Sequence, residues 1–464
     1  MTDDYYKNPL TDGTESISTD RYEAQLTYKK PIGTKYEINF NLGYVKHARV
    51  ATNDSFLNDY METHNDSVPD LRDMRPYLAK ENTLTSLLTF GVKWGNHNIL
   101  SGIQEFYDKI EESGMYVVVD PESEFFGESY RSVSEKTALE FGAFIQDEWD
   151  ISQKLTAVPG IRIDLHSSGE EYNTDKQVFK SITFPRTDFD ETSISPRFAV
   201  KYKVSDRFSL RANAGSGFRA PFGFSEDLHL CSGSPRVWKS SDLEPEKSLS
   251  YNLSADYYGK NIRISTNIFR TDLKSKIGFV DASDEVAALG YDYQWENIDD
   301  AFVQGIELSL QANLVRNLKL GFDFTFNQGK YDNARKDWMG TQYEDDSKNI
   351  SRFPSVTSDL KIEYNPGTWI FYLTGDFQGT MYIDYYNEDI DPSIGDQSKI
   401  KKTDPYMLFN TSVSKKLNHF RLYAGINNIF NYLQDEKHLD DAAFMYAPVY
   451  GTLFYGGLSI EIRH

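Results

Sequence analysis

The chain has 464 residues, with 49 Lys plus Arg against 70 Asp plus Glu, and its formal net charge of −21 excludes a binder that tracks nucleic-acid phosphates. Its one cysteine, Cys231, excludes an intramolecular disulfide framework and any CxxC-type zinc or redox site. Apolar runs such as residues 116–119 fall far short of the ~20 residues of a membrane helix. Yet 14% of the residues are aromatic at a mean hydropathy of −0.56, as in a chain that alternates aromatic with polar side chains.

In chain order, that alternation recurs as hairpins. Tyr22, Ala24, Leu26 and Tyr28 oppose Tyr36, Ile38, Phe40, Leu42 and Tyr44 across a turn at 31–34. Leu155, Ala157, Ile161, Ile163 and Leu165 alternate with Thr156, Arg162, Asp164 and His166. Leu249 to Tyr257 at odd positions lead through Gly259 to Ile262, Ile264 and Ile268. Ile306, Leu308, Leu310 and Ala312 precede a turn at 314–317, after which Leu318, Leu320, Phe322, Phe324 and Phe326 alternate with Lys319, Gly321, Asp323 and Thr325. Leu360, Ile362 and Tyr364 lead through Pro366 and Gly367 to Trp369, Phe371 and Leu373, and the last segment carries Phe454, Leu458 and Ile460.

Because a strand turns alternate side chains to opposite faces, each segment has one face for lipid and one for water. The pattern predicts an all-β transmembrane antiparallel β-barrel with about 17 visible strands of the ~9–11 residues that a tilted crossing needs. Short turns near 31–34, 95–97, 151–154, 204–206, 259–261, 314–317, 365–367 and 416–418 alternate with long loops near 46–79, 111–134, 166–193, 218–247, 276–300, 330–353, 383–404 and 432–449. A soluble propeller or stacked sandwich also has many short strands. Such a fold needs no strict short-then-long rhythm, and no blade-like repeat is visible.

Several stretches in order resemble the barrel of TonB-dependent outer-membrane receptors. They are Phe144-Ile145-Gln146-Asp147-Glu148-Trp149 with Pro159-Gly160-Ile161-Arg162-Ile163-Asp164, and Ser195-Pro196-Arg197-Phe198 with Gly215-Ser216-Gly217-Phe218-Arg219-Ala220-Pro221. Asp242-Leu243-Glu244-Pro245-Glu246-Lys247, Gln294-Trp295-Glu296-Asn297-Ile298-Asp299 and Gly425-Ile426-Asn427-Asn428-Ile429-Phe430-Asn431 follow. The resemblance implies a barrel of about 22 strands in the cell outer membrane, filled by a plug. It also implies import of a large scarce nutrient when a TonB complex pulls that plug. Residues 1–464 then read as a partial barrel domain, from the sixth strand to the last, without signal, plug or early strands and not active alone. Contact with a TonB complex would run only through the missing plug. At the end, Ile462-Arg463-His464 stands where the family carries a terminal aromatic. The rival from another class is a passive porin-like or structural barrel.

No Ser/His or Asp/His constellation suggests an enzyme, and no cofactor or metal site is assigned. Acidic runs at 384–396 and 344–346 have oxygen ligands but no fixed calcium spacing. The candidate ligand-binding residues are Arg219, His229 and Trp238, all in or at the root of the 218–247 loop. Arg219 follows the Gly215 and Gly217 strand end, and its alternative role is to pair with a loop carboxylate such as Asp227 or Glu246. His229 lies between two boxes that resemble those flanking a haem-ligating histidine in haem receptors, although the second box lacks its asparagine and proline, and the alternative role of His229 is to brace the loop by hydrogen bonds. The stretch from Asp227 to Pro235 also looks like cobalamin receptors of the Bacteroidetes. Trp238 offers a flat face to a large ring ligand, or packs the loop onto itself. The expected ligands are cobalamin, haem or a ferric siderophore.

Overall fold

The computed structural model describes residues 15–53, 77–117, 129–174, 186–221, 237–239, 242–288, 293–385, 399–434, 447–448 and 450–460. The wall opens with β1 Glu15–Ile32, β2 Tyr36–Asn53, β3 Tyr77–Trp94, β4 His97–Val117, β5 Ser129–Asp150, β6 Leu155–Thr174, β7 Thr187–Lys203 and β8 Phe208–Arg219. After the short β9 Val237–Lys239 come β10 Glu246–Tyr258, β11 Ile262–Asp281, β12 Tyr293–Val315, β13 Leu318–Tyr331, β14 Val356–Tyr364 and β15 Trp369–Gln378. The hairpin β16 Tyr382–Tyr385 and β17 Lys399–Lys402 precedes β18 Tyr406–Leu417, β19 Phe420–Asn427 and β20 Leu453–Ile460.

Setting aside β9 and the β16–β17 hairpin, the described strands form a meander of seventeen antiparallel neighbours, the number the alternation predicts. Short and long connections alternate along it throughout. Among the described residues no ladder joins β20 back to β1.

Packing is inverted relative to a globular protein. Large apolar side chains such as Tyr22, Leu26, Trp94, Ile194, Leu253, Ile268 and Phe454 are exposed, while many buried side chains are polar, among them Asp108, Asp164, Asp256 and Lys136. That inversion is what a wall with lipid outside and polar side chains inside requires. Trp94, Trp149 and Trp369 lie beside the short turns, Trp149 stacked on His97 at 5.5 Å and Trp369 on Phe371 at 6.0 Å, which places an aromatic girdle at that end.

Three expectations change. The first turn occupies 33–35 and not 31–34, with Pro31 and Ile32 still in β1. Pro31, opposite Glu37 beside the turn, has no N–H to give to a ladder. Second, the long-loop ends of β2, β4 to β7, β11 and β12 run well past the predicted crossing; β12 has 23 residues and β5 has 22. Above the lipid both faces meet water, so hydrophobic alternation stops while the hydrogen-bond ladder continues. Third, the loops contain strands of their own, β9 and the β16–β17 hairpin, too short to show a period. Pro221 ends β8 as expected, because the strand stops at Arg219.

Candidate ligand-binding and loop-anchoring site

At the long-loop end, β8 and β10 pair up to Arg219 opposite Glu246. Arg219 Nη1 donates to Glu246 Oε2 at 3.0 Å, and Glu246 Oε1 accepts the Ile277 backbone N–H at 2.8 Å. The Arg219 side chain stays 57% exposed while Glu246 is largely covered, so the carboxylate is the fixed member of the pair. This is the pairing weighed for Arg219 from sequence. The neighbouring Lys276 is half-buried, and burial holds its ammonium below the usual lysine range against the opposing pull of Glu246.

The segment 242–246 is clamped to β11 and β12 chiefly through Asn297, beside the Glu246 contact to Ile277 and a hydrogen bond from Ser275 Oγ to Glu244 at 3.0 Å. Asn297 Oδ1 accepts from the Glu244 backbone N–H at 2.9 Å, while Asn297 Nδ2 donates to the carbonyls of Glu244 at 3.0 Å and Ser275 at 2.8 Å. Leu243, Ile277 and Trp295 close a small buried apolar cluster beneath it. The Ser275 carbonyl is available because the β11–β12 register slips between Leu273 and Lys276, with Ser275 at φ 53°. Asp300 holds that bulge by accepting the Ser275 N–H at 3.0 Å and pairing with Lys274, contacts that hold its carboxyl below the ordinary range.

β9 then runs parallel to β12, Trp238 opposite Gln294. From β9, Lys239 Nζ reaches Glu170 Oε2 on β6 at 2.6 Å, both side chains at least 85% buried. In the sheet, β7, β8, β10 and β11 separate β6 from β12. Residues 237–239 are therefore strapped between distant parts of the wall, paired to β12 on one side and to Glu170 of β6 on the other. Trp238 sits half-buried on this strap. Arg219 and Trp238 are thus carried by different strands, both tied to the 242–246 anchor through β10 and β12. His229 and Cys231 lie outside the described residues.

Below the strap the inner face is polar and cross-linked. Arg162 binds Asp164 at 2.5 Å, Glu140 at 3.5 Å and Gln104 at 3.1 Å, joining β4, β5 and β6. A Cβ at Gly142 would overlap the guanidinium, so glycine is what lets Arg162 lie flat on β5. Further round, Asp323, Asp359 and Asp376 stand opposite one another on β13, β14 and β15. Ser309 Oγ donates to Asp323 at 2.6 Å and Asn410 Nδ2 to Asp376 at 3.2 Å. Among the described residues no three His, Cys, Asp or Glu side chains form a metal-binding group. Glu344, from one of the acidic runs, accepts the Gly340 N–H at 2.9 Å and so braces its own loop, and the run at 384–396 lies outside the described side chains.

Sequence reasoning missed Ser275, Lys239, Glu170 and Asp300 as builders of this site. Leu243, Glu244, Glu246, Trp295 and Asn297 carried a signal, since all lie inside motifs of the resemblance.

The fold and this anchored mouth define an outer-membrane β-barrel of the receptor type. The sequence model described as "TonB dependent receptor-like, beta-barrel" matches residues 2–429, and the chain belongs to that family and to the cell outer membrane. It is 19% identical over 308 residues to the ferrienterobactin receptor of Escherichia coli K12, covering 63% of this chain and 36% of that protein. It is 24% identical over 232 residues to the vitamin B12 transporter BtuB of Photobacterium profundum, covering 49% and 33%. The chain thus spans about a third of the length of the curated relatives it matches. The solved copper transporter OprC superposes with a TM-score of 0.68 at 16% identity, over 96% of this chain and 68% of that one, a likeness of fold.

Proposed function

We propose that residues 1–464 form one barrel domain of a receptor that captures a large scarce nutrient outside the cell and admits it when a TonB complex acts on a plug within the lumen. The observation that carries this reading is the Lys239–Glu170 ion pair, which draws β9 of the long-loop end against the inner side of β6. The match of residues 2–429 to the TonB-dependent receptor barrel favours this reading over a passive pore. We assign ligand contact to the exposed edge of Arg219, to Trp238 on the strap and to His229 in the same loop. The names of the relatives support a siderophore or a cobalamin as ligand, and the flat face of Trp238 suits a corrin, haem or catecholate system alike.

The test is binding of cyanocobalamin, haemin and a ferric catecholate to outer membranes of the native host. Arg219→Ala, His229→Ala and Trp238→Ala are compared singly with the unaltered protein. One of the three probes should bind, and at least one substitution should weaken it by about tenfold, the scale of one lost charged or stacking contact. Unchanged affinity in all three variants refutes the site assignment. Uptake that persists when the proton gradient is collapsed refutes the receptor reading in favour of a pore.

A further inference from the structure

On the outer face of β11, β12 and β13, a polar row follows the apolar side chains, with Phe302 one step beyond it on β12 between Asp272 and Lys330. Outward positions below that row are Ile268 on β11, Ile306 on β12 and Phe326 on β13, all exposed. The row itself is Arg270, Gln304 and Gln328, register partners across the three strands. It is built as a relay: Arg270 Nη1 donates to Gln304 Oε1 at 2.9 Å, and Gln304 Nε2 donates to Gln328 Oε1 at 2.9 Å. Asp272 fixes the other side of the guanidinium at 2.7 Å, and the ring of Phe302 lies 4.4 Å beneath it. These contacts use three of the five N–H donors of the arginine, and the side chain remains 45% exposed. Lys330, opposite Phe302 on β13, adds a second outward cation.

Directly under this donor row lies a groove of about 460 Å³ whose outward lining is Tyr251, Leu253, Ile268, Ile306 and Phe326, with Arg270 and Gln304 at its lip. An apolar channel capped by a rigid guanidinium at the level where hydrocarbon ends has the two-part chemistry of an amphiphile. Arginine presents a planar fork suited to phosphate oxygens. We propose that this face binds one lipid of the outer leaflet, its acyl chain in the groove and a phosphate of its headgroup on Arg270. The relay through Gln304 and Gln328 orients the arginine and extends the donor row, so these two act as positioning residues.

The experiment is native mass spectrometry of the purified full chain in a neutral detergent. The added probe is phosphatidic acid, diacylglycerol of the same chains, or inorganic phosphate. The unaltered protein should retain phosphatidic acid at least about tenfold more tightly than diacylglycerol. Arg270→Gln should bring the two lipids to near parity, and Arg270→Lys should keep part of the preference, which separates charge from folding. Ile268→Trp, which fills the groove, should lower retention of both. An undiminished phosphate preference in Arg270→Gln overturns the proposal, as does displacement of the lipid by inorganic phosphate at equal concentration.

Discussion

Asn297→Asp is nearly isosteric and should nonetheless release the loop anchor more fully than Asn297→Ala. Alanine removes three hydrogen bonds of 2.8–3.0 Å, leaving the Glu244 N–H and two carbonyls to find water. At ~0.5–1.5 kcal/mol net for each, the anchor loses about 2–4 kcal/mol of resistance to local opening. Aspartate keeps an acceptor for Glu244 N–H, but its second oxygen then faces the carbonyls of Glu244 and Ser275, where an N–H₂ stood. Two attractions become repulsions, so the loss must exceed that of alanine. Amide hydrogen exchange reads this at Glu244, whose N–H goes to Asn297, and at Ile277, whose N–H goes to the Glu246 carboxylate. Exchange at both should accelerate about 30- to 700-fold in the alanine variant, and further in the aspartate variant, at a tenfold rate per ~1.4 kcal/mol. Amides of the β4–β5 ladder should not change. If Asn297→Asp exchanges as slowly as the unaltered chain, the amide orientation and the clamp are both wrong. If Glu244 accelerates and Ile277 does not, the anchor is not one cooperative unit.

Phe322→Arg, an outward position near mid-membrane on β13, should cost ~2–4 kcal/mol in a folding titration, whereas Asp323→Asn on the inner face should cost far less; equal costs would refute the facing of the strand. Lys239→Met removes the Lys239–Glu170 ion pair and should loosen the docking of β9, measurable as faster amide exchange at 237–239, and Glu170→Gln in the same chain should recover part of the loss. Lys276 is held below its usual range by burial, so it opposes folding while the unfolded lysine is charged and the folded site resists charge. Lys276→Met should therefore raise the melting temperature at neutral pH, and the gap should narrow as pH rises from the depressed folded value towards the unfolded 10.5; a gap that widens over that range contradicts the burial argument. Gly142→Val should displace the Arg162 guanidinium and weaken the β4–β6 cross-link, measurable as a lower melting temperature, while Gly91→Ala, whose added Cβ would meet its nearest neighbours at 3.8 Å, should be tolerated.

What could be read from sequence follows where lipid imposes a rule. Between Leu318 and Phe326 each outward residue must be apolar and each inward one is free to be polar, so parity alone reveals strand, face and register of crossing. Once β11 rises past the membrane the outside is water, and residues 276–281 read as loop although they stay paired with β12 as far as Tyr293. The strap is illegible for another reason. Lys239 and Glu170 are 69 positions apart on non-neighbouring strands, and their meeting depends on where β9 docks, which three residues cannot encode as a period. Arg219 lay between these cases: its partner Glu246 could be suggested because both flank one loop, and the β8–β10 register puts them opposite. The Arg270 row shows the same limit on the outer face. Each of its residues is an ordinary polar side chain within a strand, and only the register of β11, β12 and β13 makes them one hydrogen-bonded line above an apolar groove. Chemistry that depends on one strand is written in the sequence of that strand, while chemistry shared across a sheet appears only when the ladders are known.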